Sequence, residues 1–206
     1  MVDLSKMTKK QKREYIWDYY KLHIIGSLIV IIVVGSFIHN MITAKEYEFN
    51  VSVIGGYLSA DEINEIDEEI TSLIYGENEN KKIAYVDYYS LTKKQNNNML
   101  EMDYNMVQKF MAKIATQQVD VILMHKEIFK QYEPKEFFFD LGEIDNLDLN
   151  GVKLVEKDGK IFGVYLEGNK IFNKSEYTNG EYIVCVPLSS TRQEQIVDFF
   201  DYIFTT

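Results

Sequence analysis

Residue types that carry most enzyme chemistry are scarce in this chain of 206 residues, which holds three histidines, one cysteine and two arginines. Nucleophilic catalysis by a Ser-His-Asp or Cys-His arrangement needs a positioned imidazole. His23 and His39 sit at the ends of an apolar run, which leaves His125. It directly follows a strand-like run, Val119 to Met124, a position at which open α/β sheets hold ligands; the same position suits a histidine that opens a helix. Cys185, inside Ile183-Val184-Cys185-Val186-Pro187, reads as a small apolar core residue rather than a nucleophile. No grouping of base, nucleophile and orienting residue is visible, so neither catalytic residues nor a cofactor is expected.

Ligand chemistry has one better candidate. In Ser189-Ser190-Thr191-Arg192, hydroxyls, helix N–H groups and the sole arginine beyond the apolar run could together hold a carboxylate or phosphate. The same residues also read as a plain helix cap, Thr191 with Glu194 three positions on. Gly55, Gly56 and Tyr57, with Asp87, Tyr88 and Tyr89, end other predicted strands and are expected to line the same sheet edge as His125 and Arg192. Phosphate-loop and dinucleotide spacings are absent, since no later glycines follow Gly55-Gly56. Asn146, Asp148, Asn150 and Gly151 imitate the start of a calcium loop, but Lys157 stands where a bidentate acid is required, so a turn is expected and no metal. The acidic run Asp61, Glu62, Glu65, Asp67, Glu68 and Glu69 reads as a solvated helix face.

The elements that must position these residues begin with a membrane anchor. Leu22 to Ile42 contains no formal charge, and a helix of that length spans about 30 Å, the thickness of a bilayer core. Lys6, Lys9, Lys10, Lys12, Arg13 and Lys21 precede it, whereas Lys45 is soon offset by Glu46 and Glu48, which predicts a cytoplasmic N-terminus. Tyr15, Trp17, Tyr19, Tyr20 and Lys21 form the expected interfacial belt. A cleaved signal peptide is disfavoured by the long charged lead-in and by Ile42 where a cleavage site wants a small residue. The expected organisation is therefore a cytoplasmic segment over 1–21, a transmembrane helix over 22–42, a linker over 43–46 and an extracytoplasmic domain over 47–206. Net charge is −10, and the first 44 residues are basic on balance, so the remainder is more acidic still. Nucleic acid, which demands clustered cations, is excluded as a partner.

Within the domain, Tyr47 to Tyr57 alternates as a strand into the Gly55-Gly56 turn. Ser59 and Glu62 then form a capping box for a helix carrying Ile63, Ile66, Ile70, Leu73 and Ile74, closed by Gly76. A second strand follows in KKIAYVDYY. Asn96 to Asn98 are expected to introduce a long helix with Met99, Met102, Met106, Val107, Phe110, Met111 and Ile114 inward. Val119 to Met124 is the third strand, followed by a short helix near Glu127 to Tyr132. Asp158-Gly159 marks a tight hairpin. A strand over Glu181 to Leu188 and a helix over Thr191 to Phe204 close the chain. Strand and helix alternation predicts an α/β fold with a mixed, mainly parallel sheet and helices on both faces.

Two stretches resemble extracytoplasmic solute-binding proteins of the two-lobed type II kind: the run Val119-Asp120-Val121-Ile122-Leu123-Met124 with its short helix and Phe139-Asp140-Leu141, and the ending EYIVCVPLSSTRQEQIVDFFDYIF. The resemblance covers about 45–206 and implies one lobe of such a fold, without the opposing lobe that closes over a solute. The entry YIWDYYKLHIIG, with abundant Ile, Lys and Asn, resembles membrane-tethered proteins of low-GC Gram-positive bacteria. The functional expectation is a single-pass, signal-anchored extracytoplasmic module without catalysis. It engages the lipid bilayer through its helix and a membrane or envelope protein through its domain. The alternative is a receptor for a small anionic solute at Ser189 to Arg192.

Overall fold

In the computed structural model the chain divides after Ala44 into two units, Met1–Ala44 and Lys45–Thr206. The residues described are 8–76, 81–93, 99–133, 137–167, 169, 171–174, 177 and 179–204. The first unit is one uninterrupted helix, α1 (Lys9–Thr43), opened by a capping box between Thr8 and Gln11. Its stretch Trp17–Thr43 is long and apolar enough to cross a membrane. Apolar side chains are exposed around it, from Leu22 and Ile31 to Phe37 and Met41. The hydroxyls of Ser27 and Thr43 donate to the carbonyls of His23 and His39, each at 2.7 Å, so these polar groups find partners on the helix itself.

The second unit is built on a six-stranded mixed sheet. Its strands are β1 (Glu46–Ile54), β2 (Lys82–Tyr89), β5 (Val121–His125), β6 (Leu154–Lys157), β7 (Lys160–Tyr165) and β8 (Tyr182–Cys185), in the order β2-β1-β5-β8-β7-β6. The trio β2-β1-β5 is parallel, whereas β8, β7 and β6 add antiparallel. A separate pair, β3 (Leu91–Lys93) and β4 (Leu100–Met102), follows β2.

Alternation along the strands feeds two cores. Phe49, Val51 and Val53 point to one face with Ala84, Val86, Val121 and Leu123. Ile66 and Ile70 of α2 (Ala60–Tyr75) and Ile196, Phe199, Phe200 and Ile203 of α5 (Gln193–Phe204) cover them. Ile54, Tyr89, Ile122 and Met124 point to the other face, under Phe110 of α3 (Tyr104–Ala115) and Ile128, Phe129 and Tyr132 of α4 (Lys126–Tyr132). Helices thus cover both faces, as the sequence predicts. The Ser59–Glu62 capping box and the Asp158-Gly159 hairpin are also present, the latter with both residues at positive φ.

The third helix differs from expectation. It starts at Tyr104, because Asp103 caps it by accepting from Asn105 N–H at 2.9 Å. Met102 instead lies in β4, opposite Leu91, and Met99 precedes that strand, so neither is on the helix. Met111 is exposed. Asn96 to Asn98 lie outside the described residues.

The acidic run on α2 is also more than a solvated face. Sheet order leaves β2 at an edge, where unpaired backbone groups invite foreign strands. Asp67 and Thr71, one turn apart on α2, reach that edge. Val86 N–H donates to Asp67 Oδ1 at 2.6 Å, Ala84 N–H donates to Thr71 Oγ1 at 3.0 Å, and the same hydroxyl donates to the Ala84 carbonyl at 3.0 Å. Burial pushes the Asp67 carboxyl up to about 6, and the negative charge of Asp87 adds to the shift against the pull of Val86 N–H. A carboxyl whose folded value lies above its unfolded 3.8 contributes stability that is complete below that value and is lost as pH rises through about 6. Asp67→Asn keeps an acceptor for Val86 without the charge. The expected result is a higher melting temperature than wild type at pH 7 and convergence of the two near pH 4, followed by circular dichroism.

Candidate functional site

The sequence grouped all its candidate ligand residues on one sheet edge; the structure divides them between two ends. The cause is β8, which runs antiparallel to β5, with His125 opposite Tyr182 and Ile122 opposite Cys185. Ser189 to Arg192, beyond the C-terminal end of β8, therefore lie beside the start of β5. Gly55, Gly56, Tyr57, Tyr88, Tyr89 and His125 lie at the opposite end, where β1, β2 and β5 finish.

That end, where open α/β sheets usually take ligands, is filled by the chain itself. Gly55 and Gly56 turn with φ of 104° and 68°. A Cβ on Gly56 would stand 2.5 Å from the Tyr177 ring, and one on Gly55 would stand 2.8 Å from Leu91 and 3.0 Å from the Tyr182 hydroxyl. Tyr177 is fully buried, and its hydroxyl donates to the Gly55 carbonyl at 3.5 Å. Tyr88 donates to the Gly56 carbonyl at 2.5 Å. Tyr57 remains exposed, but Tyr89 is buried against Phe110. Near the turn, Lys174 and Ser59 hold the Glu62 carboxyl down at about 2.

His125 takes the helix-opening role. Its Nδ1 accepts from Glu127 N–H at 3.3 Å, its Nε2 lies 3.6 Å from Glu181, and its ring meets Tyr182 edge-on. Glu181 also pairs with Lys126 at 2.8 Å. Cys185 is buried, and burial pushes its thiol well above the ordinary value, which keeps it protonated. At Asp148 the predicted turn is present, with Asn150 N–H donating to Asp148 Oδ1 at 2.9 Å. Among the described residues, no group of three or more His, Cys, Asp or Glu is placed to hold a metal.

The other end contains a buried charge network. Asp120, with no exposed surface, accepts from Asn50 N–H at 2.9 Å, from Ser190 Oγ at 3.1 Å and from Arg192 Nη1 at 3.0 Å. Burial raises its pKa, opposed by Asn50 N–H and then by the Arg192 guanidinium. Asn50 Nδ2 donates onward to Asp87 Oδ2 at 2.9 Å, and Ser52 Oγ donates to Asn50 Oδ1 at 2.8 Å. Asp87 is met by Lys113 and, at 3.1 Å, by Lys109, both from α3. Among the described residues Ser189 Oγ is buried without a hydrogen-bond partner, and Thr191 is exposed. Arg192, rather than Thr191, occupies the cap position of α5, since Ile196 N–H donates to its carbonyl at 3.1 Å.

Arg192 is therefore committed to an internal carboxylate, and of the expected ligand set Ser190 and Asp87 join it in this network. Sequence reasoning missed Asp120, Asn50, Lys109, Lys113 and Tyr177. One signal was available: polar Asn50 and Ser52 alternate with Phe49, Val51 and Val53, and in a sheet covered on both faces such residues must be buried and therefore hydrogen-bonded.

These features define an α/β domain following an apolar helix. No protein-family model and no curated protein matches the chain. Among solved structures, the chain is similar to an extracellular solute-binding protein family 1 from Alicyclobacillus acidocaldarius subsp. acidocaldarius DSM 446, with a TM-score of 0.37 and 10% identity. The likeness covers 60% of this chain and 28% of that one, so the chain matches little more than a quarter of that protein's length.

Two stability measurements test this site. Arg192→Ala removes the cation that meets a buried carboxylate, and the expected loss is about 2 kcal/mol, below the cost of breaking a fully buried pair because Arg192 is partly exposed; in Asp120→Asn the same substitution costs much less. Gly56→Ala is expected to lower the melting temperature more than Gly159→Ala. Both glycines have positive φ, but only Gly56 faces Tyr177, while Gly159 faces open space.

Proposed function

We propose that this protein is a single-pass, membrane-anchored binding module without catalytic activity, whose α/β domain lies outside the cytoplasm and engages a protein or envelope partner. The observation that carries this reading is the contrast between the two units. The first is a helix whose apolar surface is exposed over more than its charge-free length, as lipid requires. In the second, the groups best suited to chemistry or to capture of a small solute are occupied internally. Tyr177 and Tyr182 fill the strand ends, Asp120 takes Arg192, and His125 caps a helix. A small anion at Ser189 to Arg192 would have to draw Arg192 away from a fully buried carboxylate, which disfavours the solute-receptor alternative. Binding is then left to the outer surface, where tyrosines such as Tyr57 and Tyr104 offer amphipathic contact area.

The basic residues ahead of the charge-free run support an N-terminus in the cytoplasm, and Tyr15, Trp17, Tyr19, Tyr20 and Lys21 at that end serve as an interfacial anchor. Protease added to intact cells is expected to digest the C-terminal domain while sparing an N-terminal epitope tag, with the chain remaining in carbonate-washed membranes. Photo-crosslinkers at Tyr57 and Tyr104 are expected to capture the same neighbour repeatedly. Recovery of the intact chain in the cytosol, or crosslinks with no recurring neighbour, would sink the reading.

A further inference from the structure

A wedge opens in the sheet where β8 changes partner. β7 pairs with β8 through Val164 and Tyr165. Past Cys185 the chain pairs instead with Phe137 to Phe139: Phe139 N–H donates to the Val186 carbonyl at 2.8 Å, Leu188 N–H donates to the Phe137 carbonyl at 3.1 Å, and Phe138 bridges Pro187. Asp140 ties this segment back to β7 by accepting from Ile161 N–H at 3.0 Å. Between the two partners lies a cavity of about 540 Å³.

Its apolar lining includes Phe137, Phe139 and Phe162, all partly buried, and Leu188, which is 55% exposed. The backbone bond to Phe137 fixes Leu188 in place, so its side chain stays out in water at a cost that a bound apolar group would relieve. Charge among the described lining residues is mixed with a negative excess. Glu133, Asp140, Glu143 and Asp158 contribute four carboxylates against the ammonium groups of Lys157 and Lys160, and Lys157 is already 3.7 Å from Glu133. The carboxylates come from separate stretches of chain around the opening, which matches several cations spaced along an extended ligand better than one compact cation.

We infer that this wedge is a docking site for a cationic peptide segment that places an apolar side chain against Phe162 and Leu188. The inference rests on the partner-binding reading above and names the surface and the partner's chemistry. An apolar anchor supplies affinity, and its flanking Lys or Arg residues select it against other chains by charge.

The test uses the full-length chain in phosphatidylcholine nanodiscs and fluorescein-labelled peptides of alternating Lys and Leu, or Glu and Leu, read by anisotropy. The Lys-Leu hexapeptide is expected to bind saturably above empty discs, and the Glu-Leu hexapeptide is not. Leu188→Lys and Glu143→Lys, both at exposed positions and checked for folding by circular dichroism, are expected to weaken binding about tenfold each, a loss of about 1.4 kcal/mol. No binding above empty discs, unchanged binding by either variant, or equal binding of the Glu-Leu peptide overturns the site. A recurring in-cell neighbour crosslinked through other faces would then leave the partner-binding reading standing while this wedge is discarded.

Discussion

A carboxylate with no exposed surface must be met by hydrogen-bond donors and positive charge, and the way Asp120 collects them organises one end of the domain. Its partners come from β1, through Asn50 N–H, and from the turn before α5, through Ser190 and Arg192. The arrangement continues through Asn50 to Asp87 and the lysines of α3. Elements distant in sequence are thus joined around two buried acids. A pair of this kind adds little net stability over apolar packing, because desolvation offsets its attraction, but removing one partner is costly. It therefore acts chiefly as a constraint on where α3 and α5 sit relative to the sheet.

The opposite end is governed by shape rather than charge. Gly55 and Gly56 let the chain leave β1 with left-handed backbone conformations, and the missing side chains make room for Tyr177 and Tyr182. An open α/β sheet has a crevice at its strand ends because loops there diverge. Here Tyr177 and Tyr182 occupy the space beside the glycines. The groups best suited to chemistry at both ends of the sheet are thus engaged inside the domain. The edge of β2 is closed as well, by Asp67 and Thr71, so strand addition at that edge is blocked by side chains from α2.

Much of this was legible from local pattern. The capping box at Ser59, the turn at Asp158-Gly159, the period-two strands and the helical stripes of α2 and α5 all depend on residues within a few positions of each other. The start of α3 was not legible, because Met99 and Met102 fit a helical stripe as well as they fit a short strand. Their pairing with Leu91 to Lys93 and the cap at Asp103 decided it. Asp67 looked like one more member of an acidic face until the neighbouring strand edge gave it a backbone donor.

The sequence by itself determined the apolar helix, the α/β class and most element boundaries, since these follow from the spacing of apolar, turn-forming and capping residues along the chain. The tertiary structure alone decided which candidate residues meet. The direction of β8 beside β5 is a pairing between distant segments, invisible to any local period. That one antiparallel choice carried Arg192 away from His125 and Gly56 and delivered it to Asp120, turning an apparent anion site into an internal ion pair.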